Sequence, residues 1–353
     1  KLVPATASAP SKWVSYLVTR PVTVAQAAGT FGAADSCDEV GKKWCGTFPT
    51  TDSEGTLVDN GDGTYVYTFA RDITQAATIV ASLKDSTDGL KKKADLGDVS
   101  YNAALTHRLG IQISGAAPGT GSNTPNGTTV IPGVNIAIPT NATYDFVPNG
   151  GAVTSTRNVV DKASCDSCHN GKGLAHGQGR NDPAYCVTCH TDQTKYGMSG
   201  EATRSSALVL NGTTQNTTSV VNGRAIADMP NLFHKVHMGS ELKLSGYNYL
   251  PNSSGVGMNF NSVEWIQDPR SCTKCHSGDA KTDINQATQT KDGNNWKNKP
   301  SQLACGACHD NVDFAANTIT TAAGVVPHSD AGMTDDSRCA SCHTATTIPV
   351  YHS

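Results

Sequence analysis

No stretch of this 353-residue chain approaches 18 consecutive apolar residues, so no helix of it is expected to span a membrane. There is no basic run either. The 27 lysines and arginines stand against 30 aspartates and glutamates, a near-neutral balance that offers no footprint for a nucleic acid. The opening residues, Lys1-Leu2-Val3-Pro4, lack the apolar core of a secretory leader, so an exported chain beginning this way is expected to be a mature or trimmed form. Apolar residues are only 37% of the total, while Gly, Thr, Asn, Ser and Asp abound, which points to a β-rich or loop-rich structure. Finally, not one of the twelve cysteines stands alone.

What is there is a repeat. Ten cysteines fall in five units of identical spacing: Cys165-Asp-Ser-Cys168-His169, Cys186-Val-Thr-Cys189-His190, Cys272-Thr-Lys-Cys275-His276, Cys305-Gly-Ala-Cys308-His309 and Cys339-Ala-Ser-Cys342-His343. Cys-x-x-Cys-His is the attachment signature of heme c. Two thiols form thioethers to the vinyl groups of one heme, and the adjacent histidine is held beneath the iron. Paired Cys-x-x-Cys units also build zinc sites and redox-active dithiols. Neither needs a histidine directly after the second cysteine, yet it follows in all five. A histidine falls at a given position by chance about once in thirty residues, so five coincidences are negligible.

Eleven histidines occur in all. Five belong to the motifs, and His107, His176, His234, His237, His328 and His352 remain. Five of these six lie in the half of the chain that carries the motifs. Five spare histidines for five irons predict bis-histidine ligation, with each iron closed on both faces and suited to electron transfer rather than substrate binding. In Phe233-His234-Lys235-Val236-His237-Met238, a helix would put both histidines on one face, where they could serve two nearby hemes. Met198, Met229, Met238, Met258 and Met333 are the competing axial ligands. His107 reads as a structural or surface residue. Which histidine serves which heme cannot be read from the spacing.

The chain divides near residue 158. Residues 1–158 hold no attachment motif and show period-two patterning at Val14/Tyr16/Val18, Leu109/Ile111/Ile113 and Val134/Ile136/Ile138. Thr64–Phe69 reads as a strong strand after the Asn60-Gly61-Asp62-Gly63 turn. A small antiparallel barrel or sandwich is expected. Asp85–Leu96 is a charged loop or short helix, and Gly115–Thr129 a loop. Residues 159–353 have weak apolar periodicity. Short helices and long loops organised by five porphyrins are expected there, with the polar segment Glu201–Asn222 as a surface excursion. Cys37 and Cys45 flank seven residues. Covalent heme attachment implies assembly outside the cytoplasm, where a disulfide closing this loop would persist; a redox switch is the alternative reading.

The order of these features resembles the outer-membrane decaheme cytochromes of the OmcA/MtrC type. The likeness runs from Cys37 through Thr64-Tyr65-Val66-Tyr67-Thr68-Phe69 and Tyr144-Asp145-Phe146. It continues through Thr156-Arg157-Asn158-Val159-Val160, Ala175-His176-Gly177, Tyr185-Cys186-Val187-Thr188-Cys189-His190 and Ala304-Cys305-Gly306-Ala307-Cys308-His309 to Val350-Tyr351-His352-Ser353. The resemblance implies a split β-barrel domain over 1–158 and a pentaheme domain over 159–353. It implies distal ligands at His176, His234, His237, His328 and His352, agreeing with the count. It also implies a place on the extracellular face of the bacterial outer membrane, receiving electrons from a porin–cytochrome complex. They would pass to metal oxides, soluble metals, flavins or another cytochrome, so any enzyme activity is at most unspecific metal or flavin reduction. That family carries ten hemes, and this chain holds five motifs. A subunit of a polymeric cytochrome filament and a multiheme reductase with an open iron are the competing functions.

Overall fold

The computed structural model describes most of residues 100–113 and 134–190, the segments 229–243 and 258–279, and nearly all of 289–352. Shorter stretches are described at 13–16, 51–81, 116–117, 204–225 and 248–249. Cys37, Cys45, Asp85–Leu96 and Cys189 lie outside the described residues, as do nearly all of Gly115–Thr129.

The first half is built of strands: β1 (Trp13–Tyr16), β2 (Thr51–Asp52), β3 (Thr56–Asp59), β4 (Tyr65–Thr68), β5 (His107–Ile113), β6 (Ala116–Ala117), β7 (Val134–Asn135) and β8 (Thr140–Phe146). β5 is the centre of a four-stranded antiparallel sheet of order β2-β1-β5-β8. Its register with β8 runs from His107 opposite Phe146 to Ile113 opposite Thr140. The strand expected at Thr64–Phe69 is β4, and it pairs with β3 across the Asn60–Thr64 turn. There Asp62 accepts hydrogen bonds from the Thr64 amide and hydroxyl at 2.9 and 2.6 Å. The alternation at Val134/Ile136/Ile138 yields only the short β7, and Ile138 is exposed. Among the described residues the sheets do not close into a barrel.

The second half adds strands to the short helices and long loops expected there. β9 (Arg204–Leu210) and β10 (Thr213–Thr217) form an antiparallel ladder inside the segment read as a polar excursion. The two residues between them are Asn211-Gly212, a strong hairpin signal. The pairs β11 (Val220–Val221)/β12 (Arg224–Ala225) and β13 (Asn248–Tyr249)/β14 (Met258–Asn259) are shorter. A three-stranded sheet joins β15 (Val312–Asp313), β16 (Thr318–Thr321) and β17 (Gly324–Pro327).

The helices are short, as expected: α1 (Lys162–His169), α2 (Pro183–Cys186), α3 (Met229–Met238), α4 (Asn295–Asn298), α5 (Gln302–Cys308), α6 (Cys339–Cys342) and α7 (Ile348–Tyr351). No helix among the described residues is long and apolar enough to cross a membrane. Buried apolar side chains are sparse and scattered. Val147, Tyr185, Leu242, Ala307, Val312, Phe314, Cys339 and Ile348 do not form one continuous core. α3 is held instead at its end. Gly239 has φ +40°, and a Cβ there would lie 2.2 Å from the Val263 carbonyl, so the chain turns where only glycine fits. The Ser240 amide then donates to that same carbonyl at 2.9 Å.

The two halves meet through polar bonds. β8 turns Asn141, Thr143 and Asp145 inward and leaves Tyr144 exposed, the reverse of an apolar-in strand. The Asn141 side chain accepts from the Asn181 and Asp182 amides at 2.8 and 3.2 Å and donates to the Gly179 carbonyl at 3.0 Å. Arg108 of β5 donates to both Asp145 oxygens at 2.6 and 2.7 Å. It also donates to the Ala184 carbonyl at 3.1 Å and to the Thr156 carbonyl. The sheet thereby grips α2, the helix that leads into the second attachment motif. At the junction, Asp292 accepts from the Asn158 amide and the Thr156 hydroxyl, and its own amide donates back to Asn158.

Candidate functional site

Each attachment motif begins on one turn of helix, and the reason is local. The amide of the motif histidine donates to the carbonyl of the first cysteine at His190, His276, His309 and His343, over 2.8–3.0 Å. The fifth motif, Cys165–His169, lies within α1. One such turn puts two thiols three residues apart on one face, with the histidine just beyond them.

Four residues before every first cysteine stands an Asp or a Ser: Asp161, Asp182, Asp268, Ser301 and Asp335, of which all but Asp268 cap a helical turn. The three capping aspartates at 161, 182 and 335 accept from Ala163, Ala184 and Ser337, and Asp268 accepts from the Arg270 amide, all over 2.7–2.9 Å. Ser301 accepts from the Ala304 amide at 3.1 Å. This Asp/Ser-x-x-x-Cys-x-x-Cys-His pattern is present in the sequence and goes unnoticed when only the cysteine and histidine spacing is counted. A cap of this kind is worth about 1 kcal/mol of local helix stability. Asp182→Ala is therefore expected to lower heme occupancy at the second motif alone, with Asp182→Ser restoring it. Intact-mass spectrometry of the purified protein measures this, and equal occupancy in all three forms would refute the assignment.

The histidines meet in five pairs, each uniting one motif histidine with one outside the motifs. Ring centroids are 6.2 Å apart for His169–His237, 6.1 Å for His190–His176, 6.3 Å for His276–His234, 6.0 Å for His309–His352 and 6.3 Å for His343–His328. Two imidazoles bound through nitrogen to opposite sides of one metal, each at about 2 Å, would put their centroids roughly 6.3 Å apart. His107 has no histidine partner; its ring lies against Tyr101 and Phe146, and its Nδ1 donates to the Leu105 carbonyl. His234 and His237 of α3 face different motif histidines, the arrangement their spacing predicts.

At His237 and His352 a backbone carbonyl leaves one ring nitrogen free for a metal. The Nδ1 of His237 lies 2.7 Å from the Phe233 carbonyl, and that of His352 lies 2.9 Å from the Ile348 carbonyl. A carbonyl only accepts, so Nδ1 carries the proton and Nε2 keeps its lone pair. Burial holds His276 down to about 3 and His234 to about 4, which leaves both as neutral imidazoles, the form that binds a metal. Burial pushes the Cys165 and Cys308 thiols up to about 12 and Cys272 to about 11, far from the depressed values of redox-active dithiols. Among the described residues no three His, Cys, Asp or Glu side chains converge to hold a bare metal ion, so no zinc cluster is built.

The motifs themselves form a series. Cys275 is close enough to Cys165 and Cys168 for their charges to interact, and the Ser164 hydroxyl donates to the Cys275 carbonyl at 3.0 Å. Cys272 stands in the same relation to Cys305 and Cys308, and Cys305 to Cys339. The second motif connects through the Met229 amide, which starts α3 and donates to the His190 carbonyl at 3.2 Å.

Residues 157–353 match the family of outer membrane cytochrome MtrC/MtrF-like proteins, domains II/IV. The multiheme cytochrome MtrC of Shewanella baltica is 26% identical over 324 residues, covering 91% of this chain and 34% of that protein. The crystal structure of MtrC from Shewanella baltica OS185 superimposes with a TM-score of 0.48 at 22% identity, over 86% of this chain and 35% of that one. The crystal structure of the outer membrane decaheme cytochrome OmcA gives 0.44 at 18% identity, over 88% and 37%. The chain thus spans about a third of the length of these relatives. With the match covering more than half of its residues, including all five attachment motifs and their histidine partners, the chain belongs to the MtrC/MtrF-like family of outer-membrane multiheme cytochromes.

Proposed function

We propose that this chain is a five-heme electron relay in which each Cys-x-x-Cys-His unit holds one heme c and each histidine pair closes one iron. The cysteines are Cys165 and Cys168, Cys186 and Cys189, Cys272 and Cys275, Cys305 and Cys308, and Cys339 and Cys342. The observation that carries the reading is the set of five histidine pairs at 6.0–6.3 Å, with no motif histidine left over. An iron closed on both faces exchanges electrons without offering substrate a position, which weighs against a reductase with an open iron. The neighbouring thiols of motifs 1 and 3, 3 and 4, and 4 and 5 support a relay that runs through these motifs in that order.

The layout is a split β-barrel over 1–158 and a pentaheme domain over 159–353. Membership of an outer-membrane family supports a site at the extracellular face of the cell. Electrons would arrive from a porin–cytochrome complex or another cytochrome and leave for metal oxides, soluble metals or flavins through exposed heme edges. Intact mass and optical spectrum of the holoprotein test the core of this: five hemes and an entirely low-spin ferric spectrum are expected. Fewer hemes, or any high-spin band in the wild-type protein, would sink it.

A further inference from the structure

Two of the five distal imidazoles have an aromatic side chain pressed edge-on against them. Trp265 lies 4.9 Å from His237, ring centroid to ring centroid, at an interplanar angle of 83°. Phe314 lies 5.5 Å from His328 at 89°. Both aromatics sit on pinned backbone. The turn before Trp265 is tied to the end of α3 by the Ser240–Val263 bond, and Val263 donates to the Phe260 carbonyl at 3.0 Å. Phe314 is buried at 6% exposure, between β15 and β16. His328 is fixed by its amide, which donates to the Asn317 carbonyl at 2.9 Å. Asn317 and Ser329 exchange two further bonds at 2.8 and 2.9 Å.

The consequence for the imidazole planes differs at the two places. His237 crosses His169 at 68°, whereas His328 lies within 7° of parallel to His343. The His328 Nδ1 is buried with no hydrogen-bond partner, so no hydrogen bond sets its ring rotation, and Phe314 is left to limit it. The other three pairs fall at 39°, 52° and 80°.

We propose that Phe314 is a positioning residue that sets the rotation of the His328 imidazole and so holds it parallel to His343, whereas the His237 ring beside Trp265 is held by its Nδ1 bond to the Phe233 carbonyl. This rests on the ligation reading above. In a low-spin ferric ion, parallel axial imidazoles split two d orbitals and give a rhombic spectrum. Crossed imidazoles leave those orbitals nearly degenerate and give a strongly anisotropic one. Orientation of the axial ligands by neighbouring groups is thereby a lever on heme electronics.

The test is continuous-wave EPR of the fully oxidised holoprotein with Phe314→Leu and Trp265→Leu. Phe314→Leu should remove a rhombic signal worth about one-fifth of the low-spin intensity, one heme in five. Trp265→Leu, beside a ring that its Nδ1 bond to Phe233 already holds, should leave that rhombic signal in place. A Phe314→Leu spectrum identical to wild type, at full heme content, would overturn the proposal, as would loss of the rhombic signal in Trp265→Leu. Should Phe314→Leu mature with fewer hemes, Phe314→Tyr and Phe314→Met decide instead: the tyrosine must keep the rhombic signal and the methionine must lose it, and equal spectra overturn the idea. Failure of the ligation reading would look different, because the wild-type protein would already show high-spin iron.

Discussion

His237→Ala is expected to convert one heme in five from low-spin to high-spin, and His234→Ala another. The two histidines are three residues apart on α3, but their rings face His169 and His276 respectively, in different motifs. The double variant should therefore show two high-spin hemes. Optical bands of the ferric protein and its EPR measure this directly. The pairing itself is open to a sharper check. Cys165→Ala with Cys168→Ala removes the first heme, and on that background His237→Ala should add no high-spin signal, while His234→Ala still should. A high-spin band produced by His237→Ala on that background would refute the His169–His237 assignment.

Arg108→Gln is expected to destabilise the protein by about 3 kcal/mol, the usual cost of removing one partner from a buried ion pair. The Arg108 and Asp145 side chains are only 12% and 20% exposed. Losing the guanidinium would strand a carboxylate together with the Thr156 and Ala184 carbonyls. Asp145→Asn should cost a similar amount, and the double variant less than the sum, because the two groups form one network. Denaturant unfolding at unchanged slope is the measurement. A shift in midpoint worth less than about 1 kcal/mol would mean that the bonds between the sheet and α2 are surface ornament, of the kind that contributes little to stability.

Much of the site was legible in the sequence. The five motifs name the proposed attachment residues, and the five spare histidines of the same half are the ones that meet the motif histidines. The assignment within that set was not legible. His309 meets His352 and His276 meets His234 across long stretches of chain, and spacing along the chain carries no trace of it. Other features were present and unread. The five Asp or Ser residues repeat at constant distance from the first cysteine, and Asn211-Gly212 marks the hairpin of β9 and β10. In the sheet, the usual rule misleads. β8 presents Asn141 and Asp145 to the rest of the protein and leaves Tyr144 outside, because what it packs against is a polar, hydrogen-bonded loop. Phe314 has no signature at all, since what distinguishes it is the angle at which it meets a distant ring.

The caps carry a last consequence. Asp161, Asp182, Ser301 and Asp335 each cap a turn of helix through a hydrogen bond to a residue two or three positions ahead in the sequence. An attachment site built this way is finished as soon as about nine residues of chain are available. Such a unit is local to its own stretch of chain, and among the described residues it does not depend on one continuous apolar core. The number of redox centres in a chain of this kind is free to change by simple insertion of short segments, each bringing its own cap, thiols and histidine and needing from elsewhere only a second imidazole.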